Sequence, residues 1–540
     1  MKLLIAQAYH LRFDPKLWEE MKPYPPLGSL LAAAVCRDAG CNVAFHDSML
    51  SDGVPEFEAR LAAEQPDVVL LYEDNFNYLT KMCLLNMREA ARQMLQAARQ
   101  AGALGLVCSS DASDHPELYF DMGADHVLLG EGEATLMDLL HALHAGSSTA
   151  DIKGLVSSNA GARTIATEGA ATNRITTDRI ARRPAGDARN NPEGRVSRTP
   201  VPKVPVSDNR RPVLTRLDEL PFPAWDLVDL ARYRDIWLQR HGYYSVNLAT
   251  TRGCPYHCNW CAKPIWGQRY NARSPEHVAD ELALLGQYVE LDHVWFADDI
   301  FGLKPRWTAR FADCLEARNL AIRFKCLSRA DLLLRPGEVD ALARAGCETV
   351  WIGAESGSQK VLDAMEKGTT LEQIDSASRQ LRQSGIRVGY FIQFGYPGEG
   401  WTEIGETLRL ILTNLPDEIG ISVSYPLPGT GFHEQVAAQL RDKRNWVDSN
   451  DLAMMYEGRF PTVFYRRLYA YAHQRLAYAR LRAGDQRSAG VLARMCAYGL
   501  LAAVNGALLG LLQFAGRDTG VRIAPSLDRL QSSTPSVQPD

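Results

Sequence analysis

The sequence predicts an α/β protein: a Rossmann-like (flavodoxin-like) domain over 1–145, a partial (β/α)6 barrel of the TIM type over 217–430, and a helical region over 431–516. Three observations carry this expectation. Short apolar runs alternate with amphipathic stretches at the interval of βα units, once in each half of the chain. A break in that pattern, rich in Arg, Pro, Gly and Ser, separates the two series. The chain has 540 residues, enough for two or three domains that each bury a core.

In the first series the apolar runs are Leu3–Ala6, Val43–His46, Val68–Tyr72, Leu104–Cys108 and His126–Leu129. Between them lie helical stretches such as Leu27–Ala39, Phe57–Glu64 and Met87–Ala101, which predicts a doubly wound parallel sheet. Residues 146–216 lose the periodicity and read as a flexible linker, with one short edge pairing expected around Gly154–Ser157. The recurrent arginines there lack interleaved aromatics, so an RNA-contacting arm is the weaker reading. In the second series the strand candidates are Tyr244–Thr250, His293–Ala297, Ile322–Leu327, Thr349–Gly353, Arg387–Phe394 and Ile419–Ser424. An uncharged stretch, Met495–Gly516, approaches the length of about 20 residues that spans a bilayer. Asn505, Gln513 and several glycines weaken it, so a buried helix or one lying on a membrane surface is expected. The tail 517–540 reads as disordered.

Net charge is −5, which excludes nucleic acid as a partner recognised by bulk electrostatics. Of 11 cysteines, eight are scattered through mostly apolar runs without framework spacing, and the chain opens directly on a strand pattern. A reducing, cytoplasmic setting is expected.

Cys254, Cys258 and Cys261 are different. Their C-x3-C-x2-C spacing falls on the loop after the first strand of the second series, at the reactive end of a barrel. Three thiolates so placed can hold three irons of a [4Fe–4S] cube and leave the fourth open to a small molecule. Zinc would need a fourth ligand, for which only His257 is near.

This spacing, with Trp260 before the last cysteine, resembles the signature of the radical S-adenosylmethionine (SAM) enzymes. The resemblance implies that the open iron chelates SAM and that reduction of the cluster cleaves it to a 5′-deoxyadenosyl radical. Further strand-end motifs are similar in the same order. Asp298 and Asp299, in Trp295–Phe301, would face the SAM ammonium; Ser328 and Arg329 would face its carboxylate. An N-terminal helix cap for the aspartates and an ion pair of Arg329 with Asp331 are the structural alternatives. Glu355 and Ser356, in Gly353–Gly357, would meet the ribose. Gly395, Pro397 and Glu399, in Phe394–Glu399, would meet the adenine.

The first domain narrows the resemblance to radical SAM enzymes with a cobalamin-binding domain. Tyr24-Pro25-Pro26-Leu27-Gly28-Ser29 and Gly130-Glu131-Gly132-Glu133 carry it. The family's cobalt-ligating histidine would correspond to His10, the sole survivor of that motif; polar surface is its alternative role. Pro25, Leu27, Gly28, Ser109 and Ser110 would line the corrin or its nucleotide tail. Glu73–Asn77 and Asp111–His115 share that sheet edge, with cofactor and substrate roles both open. The nearest branches are the anaerobic magnesium-protoporphyrin monomethyl ester cyclases and the phosphinate- and carbon-methylating enzymes. Methylthiotransferases carry three further cluster cysteines, which Cys36, Cys41 and Cys83 do not recreate. The implied activity is cobalamin-dependent methylation of an unactivated carbon. Radical cyclisation or rearrangement is the alternative, and a non-catalytic cobalamin or SAM sensor is a third. The implied partners are a small-molecule or natural-product substrate and an electron donor of the flavodoxin or ferredoxin type.

Overall fold

The computed structural model describes residues 1–76, 84–158, 209–261, 265–440, 445–449, 451–484 and 488–514. Most of the expected linker (159–208) and the tail from 515 onward, with Asn77 and Cys83, lie outside the described residues.

The first sheet contains β1 (Lys2–Ala6), β2 (Asn42–Phe45), β3 (Val68–Tyr72), β4 (Leu104–Cys108), β5 (His126–Leu128) and β6 (Leu155–Ser157), in the order β2-β1-β3-β4-β5-β6. β1 to β5 are parallel, and β6 closes the edge antiparallel to β5. Every residue of β3 and β4 is buried, because helices cover both faces of the sheet. The strand order reverses between β1 and β3, and the crevice at such a switch point is where this fold binds ligands. β6 carries the sheet past residue 145. Gly154 donates to the Asn209 carbonyl and the Asn209 amide to Leu155, so both ends of the 146–216 segment pack on this domain.

The second sheet runs β7 (Ser245–Leu248), β10 (His293–Phe296), β11 (Arg323–Ser328), β12 (Cys347–Glu355), β13 (Arg387–Phe394) and β14 (Glu418–Val423). All neighbours are parallel and in sequential order, as in a barrel left open after six strands. A two-stranded ribbon, β8 (Thr251–Arg252) with β9 (Asn271–Ala272), flanks its mouth. Capping is explicit where the helices start: Ser274 accepts from His277 N–H, and Thr370 forms a capping box with Gln373.

The two units touch along the β7 side. Tyr24 packs its ring 4.9 Å from Trp295 of β10, and its hydroxyl lies 3.2 Å from Ser245 Oγ. The C-terminal region is less helical than expected: the described part of 440–461 is irregular, followed by helices Thr462–Ala483 and Ala489–Leu512 packed against each other. The second helix is not a buried one. Only 17% of its most apolar stretch is covered.

Candidate active site

The cysteine loop is built by exclusion and by clamps. Gly253 has φ +79°, and a Cβ there would lie 2.2 Å from the Arg269 carbonyl oxygen, so no other residue fits. Behind it, Asp298 at the end of β10 accepts from Thr250 N–H at 2.7 Å, Thr251 N–H at 2.9 Å and Thr250 Oγ1 at 2.6 Å. Ahead of it, Asn259 is latched from three sides: its N–H donates to Met365 O, its amide donates to Ala364 O at 2.8 Å, and Tyr396 O–H donates to its Oδ1 at 2.8 Å. Cys254 and Cys258 are buried and Cys261 is partly exposed; none of the three is in a disulfide. Among the described residues no three metal-ligating side chains converge on a single ion. One tetrahedral zinc, with Zn–S of about 2.3 Å, would demand that convergence, whereas a cube takes each thiolate on a separate iron. The donor set, three thiols within eight residues at a glycine-hinged strand end, fits the cluster.

The strand-end residues divide into two groups. Asp298 is committed to the loop backbone as just described, and burial lifts its carboxyl to about 6. Arg329 stacks its guanidinium 3.7 Å from the centre of the Tyr256 ring and donates to Asp331, Lys367 O and Gly368 O. Both therefore shape the cysteine loop. Ser356 is spent on Thr407 and on Ser358 N–H, in a turn where Gly357 lets the backbone approach Thr407. Thus Asp298, Arg329 and Ser356 direct their polar atoms at the protein.

Glu399 and Trp260 keep unpartnered polar atoms at their strand and loop ends, and Glu355 is held by Lys367 and, at 3.5 Å, by Gln393. Glu355 sits at φ +58°, a conformation costly for a non-glycine residue, and receives a 2.8 Å bond from the buried Lys367 ammonium. Lys367 itself lies 5.9 Å from the Trp260 ring, and Gly353 has no Cβ because one would stand 2.6 Å from that ammonium. Glu399 accepts from Gly395 N–H at 2.5 Å through one oxygen, while its other oxygen is buried without a partner, as is Trp260 Nε1. Burial pushes the Glu399 carboxyl up to about 8. Gly395 is left-handed (φ +85°) and its carbonyl accepts from Tyr456 O–H. Ser328 is buried at the end of β11; Asp299 and Pro397 are half-buried beside their strand ends.

On the first domain, the carboxyl ends of β1, β2 and β3 carry buried polar atoms without partners: Gln7 Oε1, Tyr9 OH, His10 Nε2, His46 Nε2, Ser48 Oγ and Asn75 Oδ1. Such a concentration is costly unless a polar ligand meets it, and it fits a corrin with its rim of amides. His10 donates from Nδ1–H to Ala8 O at 3.0 Å, which leaves Nε2 as a lone-pair donor; burial lowers its pKa to about 4, so the ring is neutral. It is fully buried and not surface. Gly28 N–H donates to Asp74, and its missing Cβ lets the helix start lie against Glu73 and Asp74. Pro25 accepts from the Asn247 amide of β7, and Leu27 lines a small apolar cavity between the two domains with Phe76 and Ala249. Ser109 is the N-cap of Ser110–Asp114, accepting from Ala112 N–H, with Ser110 buried beside it. The carboxylates at this edge also turn inward: Glu73 accepts from Ala8 N–H, and Asp111 is paired with Arg88.

What sequence reasoning missed is the joint. Arg252, two residues before Cys254, reaches across to Glu131 and Glu133 of the first domain, with Arg252 Nη2 to Glu133 Oε1 at 2.8 Å and all three side chains almost fully buried. Burial pushes the Glu131 carboxyl up despite this partner. The Gly130–Glu133 motif is thus the socket for the cysteine loop's arginine. Lys367 and Asn259 were likewise not singled out; an isolated Lys or Asn carries no spacing signal.

A parallel domain with a polar crevice, joined by a buried ion triad to a six-stranded partial barrel with a cysteine triplet at its mouth, defines the class. The family profile of the Radical SAM superfamily matches residues 248–411, and that of the B12 binding domain matches residues 22–140. The chain thus carries a radical SAM region and a B12-binding region, and the two matches point to a [4Fe–4S] cluster, SAM and cobalamin as cofactors. An uncharacterized methyltransferase of Pyrococcus horikoshii is 26% identical over 325 residues, covering 60% of this chain and 60% of that protein. The anaerobic magnesium-protoporphyrin IX monomethyl ester cyclase of Rubrivivax gelatinosus is 26% identical over 262 residues, 47% of this chain and 45% of the cyclase. The chain thus spans less than two thirds of the length of either relative. The cobalamin-dependent SAM radical enzyme OxsB, with aqua-cobalamin bound, superposes with a TM-score of 0.64 over 94% of this chain and 72% of its own at 16% identity, a likeness of fold.

Proposed function

We propose that this protein methylates an unactivated carbon of a small molecule or natural-product intermediate by radical chemistry at the junction of its two domains. The observation that carries the reading is the Arg252 clamp, which ties the cysteine loop to the ligand-binding edge of the B12 domain. When bound, the cluster and SAM supply the hydrogen-abstracting radical and cobalamin supplies the methyl group.

The chain's own residues bind, orient and seal. Cys254, Cys258 and Cys261 are the proposed cluster ligands, held in register by Asp298, Asn259 and Arg329. Glu355, braced by Lys367, and Glu399, with its unpartnered oxygen, are placed to accept hydrogen bonds from SAM hydroxyl or amine groups. Asp299, Ser328, Gly395 and Pro397 frame that mouth. If cobalamin is bound, the neutral His10, with its unpartnered Nε2, is the residue that would hold the cobalt. The contribution of the protein is positioning and the exclusion of water, which the nearly complete burial of the Arg252 joint favours. A reduced flavodoxin- or ferredoxin-type protein in a cytoplasmic setting is the proposed electron source.

The test uses anaerobically reconstituted protein with methyl-labelled SAM and candidate substrates. Label in the product is expected. Deoxyadenosine formed with an unlabelled, cyclised or rearranged product would favour the cyclase-like reading, and no deoxyadenosine at all would leave a sensor. Replacing the three motif cysteines by Ala should abolish iron–sulfur absorption and SAM cleavage together; retained cleavage would refute the cluster assignment.

A further inference from the structure

We propose that the C-terminal helical hairpin seats the enzyme on an anionic lipid surface, with helix Ala489–Leu512 lying flat in the headgroup region. This goes beyond the reaction proposed above and does not depend on it.

That helix is turned inside out. Toward its partner helix Thr462–Ala483 it presents Asn505, which is buried, donates to Gln474 at 3.0 Å and accepts from Arg467 at 3.3 Å. Gly499 and Gly506 face the rings of Tyr478 and Tyr471. Toward solvent it presents Leu500 (68% exposed), Leu501, Val504 and Leu511 (71%), continued by Phe514 (82%). A helix of a water-facing surface has the opposite arrangement, and a stripe this large marks an interaction site.

Charge selects the occupant. The two helices together hold six arginines (466, 467, 475, 480, 482 and 494) and no Asp or Glu, in a chain whose net charge is −5. Arg466 and Arg494 are exposed. A one-sided apolar stripe on a pair of helices whose charged side chains are all arginines matches the interfacial helix bound to acidic headgroups. A span is disfavoured by the packing: the helix lies along Thr462–Ala483, which is anchored to the barrel by Arg480 on Asp417 and by Phe464 against Trp401.

The full-length, cluster-loaded protein is tested by co-sedimentation with phosphatidylcholine vesicles and with vesicles of equal parts phosphatidylcholine and phosphatidylglycerol. Pelleting with the anionic vesicles alone, weakening as salt rises, is expected. A Leu500→Ser, Leu511→Ser, Phe514→Ser variant should bind at least about tenfold more weakly. These side chains are mostly exposed, so circular dichroism should be unchanged; Arg466→Gln with Arg494→Gln should reduce binding to anionic vesicles while preserving the helices. Failure of the wild type to pellet, or equal pelleting of the serine variant, overturns the proposal. So does a wild-type dimer that the serine variant dissolves without vesicle binding, since a second copy would then cover the stripe.

Discussion

Replacing Arg252 by Met removes the only side chain among the described residues that forms an ion pair with the two carboxylates buried between the domains. Glu131 would retain a bond from Leu214 N–H, but Glu133 would lose its partner for Oε1, and its Oε2 already has none. Breaking a buried pair by deleting one partner costs about 3–5 kcal/mol, because the remaining charge stays desolvated. The same reasoning predicts that the triple replacement Arg252→Met, Glu131→Gln, Glu133→Gln recovers most of that loss, since burying neutral groups is far cheaper. Urea unfolding of cluster-free protein, followed by Trp fluorescence, would give both values, with Trp266, which lines a cavity with Glu131 and Glu133, among the reporters. Functionally, Arg252→Met should reduce product formation more than SAM cleavage without substrate, because the clamp registers one domain on the other. A loss below about 1 kcal/mol for Arg252→Met, or no recovery in the triple variant, would refute the idea that buried charge couples the domains.

Three further outcomes follow from the site. Asn259→Ala removes two side-chain bonds to the loop, each contributing about 1 kcal/mol, so iron release to a chelator should speed several-fold with all three cysteines present; an unchanged release rate would show that the latch is dispensable. His10→Ala should erase imidazole nitrogen coupling from the electron paramagnetic resonance spectrum of cob(II)alamin-loaded protein, and an identical spectrum would exclude His10 as the axial ligand. Glu399 has a folded pKa of about 8 against an ordinary 4.5, so the native state holds a proton that the unfolded state releases in that window. Its contribution to stability is therefore present at the acid end and lost as pH rises from 4.5 to 8, and Glu399→Gln should flatten that part of the stability–pH curve. A variant with the wild-type slope would mean that the carboxyl titrates normally.

The strands and helices were legible because periodicity is local: β3, β4 and β13 fall on the residues where alternation or continuous apolarity begins and ends. The cysteine triplet was legible because its three thiols lie within one loop. Roles that depend on contacts between distant residues were not. Asp298 and Arg329 look like ligand-facing groups in a strand-end motif, yet the fold aims them at the cysteine loop, 47 residues from Asp298 to Thr251 in the chain. Arg252 and Glu131 are separated by 121 residues, and no spacing rule connects them. The C-terminal helix shows the limit in another way. Its composition announced apolarity, but only packing against Thr462–Ala483 decided that Asn505 turns inward and Leu500 and Leu511 outward. Sequence alone determined most strands, the two βα series and the cysteine loop, since these are written in neighbouring residues; tertiary structure decided which polar atoms remain for ligands, because satisfaction of a buried group depends on whatever the fold brings beside it.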